Sequence, residues 1–216
     1  MAQETTTSKY GVPVIDQIAA YRLSVEKDPG KKMVELRSAI PGMLYDLRYA
    51  TTNNFMHRRM YRKNTKQTFL RAPAATALSK VQHELNSKGY GLLIFDAYRP
   101  YAVTVSFWEL VKDERYVANP SKGSGHNRGL AVDLTIVDLK TGKSLDMGTD
   151  FDNFTDTAHH DFTQLPQPVL NNRKLLKETM ERHGFKLFET EWWHYYWPND
   201  RSYEVLDLSF KLLSNQ

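Results

Sequence analysis

Apolar residues at Val12, Ile15, Ile18, Ala19 and Leu23 recur with a loose helical spacing, so the segment 12–24 is expected to be helical. Asp28-Pro29-Gly30-Lys31 is turn chemistry, and 33–50 reads as short extended pieces broken at Pro41-Gly42. The clearest helix spans 73–88. Pro73 suits its first turn, Ala74, Ala77, Leu78, Val81 and Leu85 make one apolar face, and Gly89 is placed to end it. A buried strand follows over 90–98 and stops at Arg99-Pro100, and a second helix fits 101–114. Residues 117–130, with Pro120, Gly123, Gly125 and Gly129, form a loop ahead of a strand at 131–137. Lys140-Thr141-Gly142-Lys143 marks a hairpin turn. After an irregular stretch at 148–167, a third helix fits 168–183, with Leu170, Leu175, Leu176 and Met180 inward and Arg173, Lys174 and Lys177 on a solvated face. Aromatic strands are expected at 185–187 and 191–197. This order predicts an α+β fold, a single domain over 12–216 with a central antiparallel or mixed sheet flanked by helices. The polar residues 1–11 are expected to lie outside it as a disordered N-terminal segment.

Composition narrows the chemistry. A chain of 216 residues with 41% apolar and 12% aromatic residues can build a real core. Cysteine is absent, which excludes disulfides, zinc fingers, iron–sulfur clusters and a thiol nucleophile, so any metal must be held by His, Asp and Glu. The net charge of +4 falls short of a clustered basic stripe, and nucleic acid is not an expected partner. No apolar run approaches the roughly 20 residues of a membrane-spanning helix. The compartment is open between cytoplasm and periplasm. The polar opening 1–8, read as a trimmed leader, tips the expectation to the periplasm. Oligomeric state is not legible.

Of the seven histidines, His83 and His183 fall in amphipathic helices and His57 in an exposed basic segment. His126 stands out through the run Ser124-Gly125-His126-Asn127-Arg128-Gly129-Leu130-Ala131-Val132-Asp133. In the strand that follows, Val132, Leu134 and Ile136 share one face, and Asp133 stands on the other. A carboxylate in an apolar strand needs a cation, a metal or several donors, and the glycines let the loop fold back so that His126 reaches it. The plainer alternative, an Asp that caps a loop and a His that packs, stands beside it. A second run, Glu191-Trp192-Trp193-His194-Tyr195-Tyr196-Trp197, surrounds one acid and one imidazole with aromatic walls that lower the local dielectric. Glu191 and His194 are three apart, so on a regular strand they face opposite ways, and a bulge, a twist or a strand start must bring both to one site.

Together the runs offer His126, Asp133 and His194 as three ligands of the types zinc prefers, with a fourth position open for water. Glu191 is then the candidate general base. Arg99, mounted at a strand end, is the candidate for stabilising oxyanion charge, set against an Arg that merely pairs with Asp96.

These runs, with Tyr98-Arg99-Pro100 and Met147-Gly148-Thr149-Asp150-Phe151-Asp152, resemble the D-alanyl-D-alanine dipeptidases of the vancomycin-resistance type. Those belong to a wider group of zinc D,D- and L,D-peptidases similar to the hedgehog domain. The resemblance covers roughly 40–205. It implies that His126, Asp133 and His194 bind one Zn2+ per chain, that Glu191 is the base and that Arg99 stabilises the transition state. It further implies that Asp152 binds the ammonium of a small dipeptide, that Ser124 contacts its carboxylate and that Tyr49 lines the pocket. His159-His160 match a family pair without an assigned role. The stretch 112–122 looks shorter than in the resistance enzymes, so the pocket rim is expected to differ. The rival expectations are a peptidoglycan D,D-carboxypeptidase of the same fold and a zinc-containing binding module without catalysis.

Overall fold

The run 131–138 is buried on both sides of the chain, and it occupies the centre of a five-stranded sheet, where both faces are covered. A computed structural model of the chain describes residues 5–215. In chain order the elements are β1 (Thr6–Thr7), β2 (Pro13–Ile15), α1 (Ile18–Lys27), β3 (Met33–Glu35), α2 (Leu36–Ala39), β4 (Leu44–Tyr45), β5 (Phe69–Arg71), α3 (Ala72–Asn86), β6 (Tyr90–Asp96), α4 (Tyr101–Val111), β7 (Ala131–Asp138), α5 (Gln167–Arg182), β8 (Lys186–Phe188), β9 (Glu191–Tyr196), β10 (Val205–Leu206) and α6 (Phe210–Ser214). The central sheet runs β4-β6-β7-β9-β8; β4 is parallel to β6 and the other neighbours are antiparallel. The fold is α+β with a mixed sheet.

Helix α3 buries Ala74, Ala77, Leu78, Val81 and Leu85 as its spacing requires, with Pro73 in the first turn. Helix α5 buries Val169, Leu176 and Met180, and the two helices pack on each other and on the sheet. Among the described residues no helix is long and apolar enough to cross a membrane.

Tertiary pairing overrides the local pattern in several places. The segment 12–24 divides: Pro13–Ile15 is a strand between β1 and β10, and the helix begins only at Ile18. Val14 and Ile15 are β-branched, and their partners, Val205 and Leu206, lie far along the chain, out of reach of any periodicity argument. The N-terminal segment expected to be disordered is docked where it is described. Thr6–Thr7 pairs with Pro13 and Val14, and the Ser8 hydroxyl accepts the Val12 N–H at 3.2 Å; residues 1–4 of that expectation lie outside the described residues. Within 33–50 a short helix, α2, replaces extended chain, because the Glu35 carboxylate accepts the Arg37 and Ser38 N–H groups at 3.1 and 2.8 Å. Arg173, expected on a solvated face, is buried on α5 at 6% exposure.

One glycine sets the approach to the site. Gly129 has φ +69°, and a Cβ there would stand 2.6 Å from the Met33 sulfur. The buried Arg71 locks the same turn, its N–H donating to Gly129 O at 2.8 Å and its Nε to Arg128 O at 2.8 Å. Gly129→Ala is therefore expected to cost about 1–2 kcal/mol from the left-handed backbone alone. A lowered urea midpoint at unchanged m-value checks it.

Candidate active site

The corner after β6 carries the first two components. Asp96 is fully buried and accepts the Tyr61 hydroxyl at 2.7 Å and Arg99 Nε at 2.9 Å. Arg99 Nη2 lies 2.9 Å from Asp96 and 3.6 Å from Asp133, and the guanidinium stacks over Tyr49 and Phe107. The Asp96 pairing weighed for Arg99 is thus present, and the same guanidinium also borders the cavity. Burial works against the charge on Arg99, but Asp96, Tyr49, Tyr61 and Asp133 together outweigh it and raise the pKa.

The loop 124–129 is fastened to this corner. Asn127 donates to Arg99 O at 2.9 Å and to Thr104 at 2.8 Å, and Arg99 N–H donates to His126 O at 3.2 Å. His126 Nδ1 lies 2.6 Å from Ala97 O. A carbonyl can only accept, so that nitrogen carries the proton and Nε2 is the free one. Ser124 Oγ accepts the His126 N–H at 3.0 Å and lies on the cavity wall.

Strands β7 and β9 bring the other groups. Asp133 and His194 are cross-strand partners and so share a face. The register of β8 against β9 shifts between Leu187 and Phe188: Leu187 faces Tyr195, yet Phe188 faces Glu191. This irregularity brings Glu191 and His194, three residues apart, to one side, with Glu191 Oε2 3.8 Å from His194 Nδ1.

His126 Nε2 stands 3.2 Å from His194 Nδ1 and 3.4 Å from Asp133 Oδ2, and His194 Nδ1 stands 2.9 Å from Asp133 Oδ1. One ligand atom from each residue lies within 4.8 Å of the others. In a tetrahedral site with metal–ligand distances of about 2.0–2.1 Å, neighbouring donor atoms stand about 3.3 Å apart. The chain's own spacing is close to that, so the donor set fits a divalent cation of the zinc type. Burial pushes the Asp133 carboxyl up, but His126 and His194 outweigh it and hold it well below the usual carboxylate range. Burial lowers the His194 pKa against the pull of Asp133. An ionised carboxylate is the state a metal requires of Asp133, and the imidazole nitrogens facing it would give up their protons on binding one. Glu191 behaves oppositely: burial, with Asp133 and Asp152 adding, raises its pKa well above the ordinary value.

A cavity of about 430 Å³ opens over this cluster, walled by Phe55, Phe154, Phe188 and Trp193. Asp152 also lines it. Its φ of +62° is a left-handed backbone that few residues other than glycine adopt, and a strained backbone of this kind is found where a side chain must be aimed. Tyr49 OH donates to Asp152 Oδ1 at 3.0 Å and Phe55 N–H to Oδ2 at 3.3 Å. Burial, reinforced by Asp133 and opposed by Tyr49, Phe55 and Arg99, raises the Asp152 carboxyl to about 7. Tyr49 therefore orients Asp152 as well as lining the pocket. Glu114, Tyr116, Val117 and Asn119 form part of the rim, the stretch expected to differ. Sequence reasoning missed Phe154, which lies in a segment with no periodicity, whereas Phe55 ends the Tyr49 segment whose resemblance implied a pocket wall. It named Asp96 only as a partner for Arg99; a buried acid three residues before an arginine at a strand end was the available signal for its wider role.

A family profile described as D-ala-D-ala dipeptidase, of the M15 peptidases, matches residues 30–211. The chain is 34% identical over 175 residues to the D-alanyl-D-alanine dipeptidase of Escherichia coli (strain K12), covering 81% of this chain and 89% of that protein. It is 30% identical over 178 residues to the D-alanyl-D-alanine dipeptidase of Enterococcus faecalis (strain ATCC 700802 / V583), covering 74% and 88%. Among solved structures, the LdcB LD-carboxypeptidase aligns with a TM-score of 0.43 at 19% identity, over 79% of this chain and 70% of that one.

Proposed function

Because the chain belongs to the D-ala-D-ala dipeptidase family of M15 peptidases and is a metallopeptidase, we propose that it hydrolyses D-alanyl-D-alanine to two molecules of D-alanine, with Zn2+ held by His126, Asp133 and His194. The observation that carries this reading is the meeting, in one cavity, of that donor set with Glu191, Arg99 and Asp152. When bound, the metal supplies Lewis acidity that polarises a carbonyl and acidifies water.

The chain's own residues do the rest. The Asp152 carboxylate pairs with the substrate ammonium, a compact cation that restores the charge burial suppresses. Ser124 has accepted the His126 N–H through its oxygen, which leaves its hydroxyl proton for the substrate carboxylate. Glu191, with its pKa raised by burial, takes the proton of the attacking water and returns it to the leaving amine. Arg99 faces the oxygen on which charge develops, its guanidinium fixed by Asp96 so that no reorganisation is needed when the charge appears.

Asp152 yields the decisive test between a dipeptidase and a carboxypeptidase. It is a half-buried acid with no side-chain cation in hydrogen-bond reach among the described residues, and it suits a free amino terminus, whereas an acylated stem peptide has no ammonium there. The expected result is release of D-alanine from the free dipeptide and very slow turnover of its N-acetyl form. Equal rates on the two would favour the carboxypeptidase. In the free enzyme Asp152 is protonated below about pH 7, so binding an ammonium there displaces a proton. KM is expected to rise as pH falls through that value, by up to about tenfold per unit, and Asp152→Asn is expected to raise KM and remove the dependence. Initial-rate kinetics from pH 5.5 to 8.5 on protein of measured metal content check this.

A further inference from the structure

Two side chains that the reaction leaves unused, the buried Arg173 and the half-buried His160, lie behind the site. The guanidinium of Arg173 forms no ion pair among the described residues; it is engaged by three main-chain carbonyls. Nε donates to Met147 O at 2.7 Å, Nη1 to His159 O at 3.0 Å and Nη2 to Thr157 O at 2.8 Å. A buried cation without an acidic partner is costly unless every donor is matched, and here the matches fall on both sides of Asp152 along the chain. Arg173 thus closes the loop that holds Asp152 in its left-handed conformation.

The residue after His159 continues the chain of contacts. His160 donates its main-chain N–H to Glu189 O at 2.9 Å, and its ring lies against the main chain of Glu191. The ring stands edge-on to Tyr195, 5.9 Å between centroids, and its Nε2 is buried with no partner. A side chain and a backbone group of one residue therefore grip the turn into β9 on either side of Thr190, at the point where the β8–β9 register breaks.

From these contacts we infer that Arg173 and His160 are positioning residues acting as one unit: Arg173 fixes the loop that presents Asp152, and His160 transmits that constraint to the backbone that presents Glu191. The inference rests on the roles proposed above for those two carboxylates. Both guanidinium and imidazole are needed in their particular shapes. A lysine ammonium cannot match three carbonyls as a guanidinium does, whereas an asparagine side chain still places a polar group against the Glu191 main chain where the His160 ring lies.

The test compares His160→Ala, His160→Asn and Arg173→Lys with the wild type on D-alanyl-D-alanine, with metal content and amide hydrogen exchange measured on each. His160→Ala is expected to lower kcat by roughly 10–100-fold, the scale of a catalytic group displaced by about 1 Å, with KM little changed and metal retained. His160→Asn is expected to recover most of that loss. Arg173→Lys is expected to raise KM and to speed exchange across 147–160. Wild-type kcat in His160→Ala, or an Asn variant as slow as the Ala variant, overturns the inference. Should His160→Ala fail to fold, the Asn variant and the KM of Arg173→Lys still decide. Glu191→Gln is run alongside: a Gln variant at full rate removes the reading of the site itself, whereas a slow Gln variant with an unaffected His160→Ala removes only the positioning unit.

Discussion

Glu191→Gln is expected to lower kcat by roughly 10²–10⁴-fold while metal content and KM stay near those of the wild type. The substitution keeps shape and burial and removes only the capacity to accept a proton. The carboxylate sits 3.8 Å from His194 at the open side of the donor cluster, close enough to take a proton from water held there. It is buried among Trp193, Phe188 and two further acids, so its basicity exceeds that of a carboxylate in water. Two outcomes count against the role. Full activity in the Gln variant removes Glu191 from proton transfer. Loss of activity in step with loss of metal makes it part of the ion's binding set instead. Elemental analysis of each preparation separates the cases.

Arg99→Ala is expected to reduce kcat by roughly 10²–10³-fold, the scale of losing one preorganised oxyanion donor. The residue also neutralises Asp96, which is fully buried, and lies 3.6 Å from Asp133. Its removal leaves a buried carboxylate without its cation, a change that typically costs about 3–5 kcal/mol. Activity must therefore be measured at a temperature where the variant is folded, and denaturant unfolding gives the stability loss separately. Arg99→Lys divides the two roles. It keeps a charge for Asp96 and gives up the fork that serves Asp96 and the cavity together, so stability is expected to return further than kcat. A rise in KM at unchanged kcat would place Arg99 in ground-state binding.

The parts of the molecule that local periodicity governs were legible before any coordinates. Helices α3 and α5 and strands β6 and β7 follow from apolar spacing with a proline or glycine at the boundary, and each falls within a few residues of its expected range. The small sheet β1-β2-β10 was not legible. Its strands are two or three residues long, and Val14 pairs with Val205 at the other end of the chain, where no local pattern points to it. Arg173 was misplaced for a related reason: Lys174 and Lys177 beside it are surface residues, and nothing local distinguishes an arginine whose carbonyl partners lie in an irregular loop. In the site, His126, Asp133, His194 and Glu191 could be singled out because cysteine is absent and because a charge inside an apolar run demands a reason. Asp152, Ser124 and Tyr49 carry no such local signal and came from motif resemblance alone, since the loop that aims Asp152 is held by long-range contacts.

The broken register between β8 and β9 makes the pairing of base and imidazole a matter of counting. Adding or deleting one residue between Glu191 and His194 would reverse the pleat beyond the change, sending one of the two side chains to the opposite side of the sheet while altering almost nothing in the overall composition. Grafting the same side chains onto an ordinary hairpin would therefore reproduce the inventory and lose the geometry, and a designer borrowing this site has to copy its irregularity first.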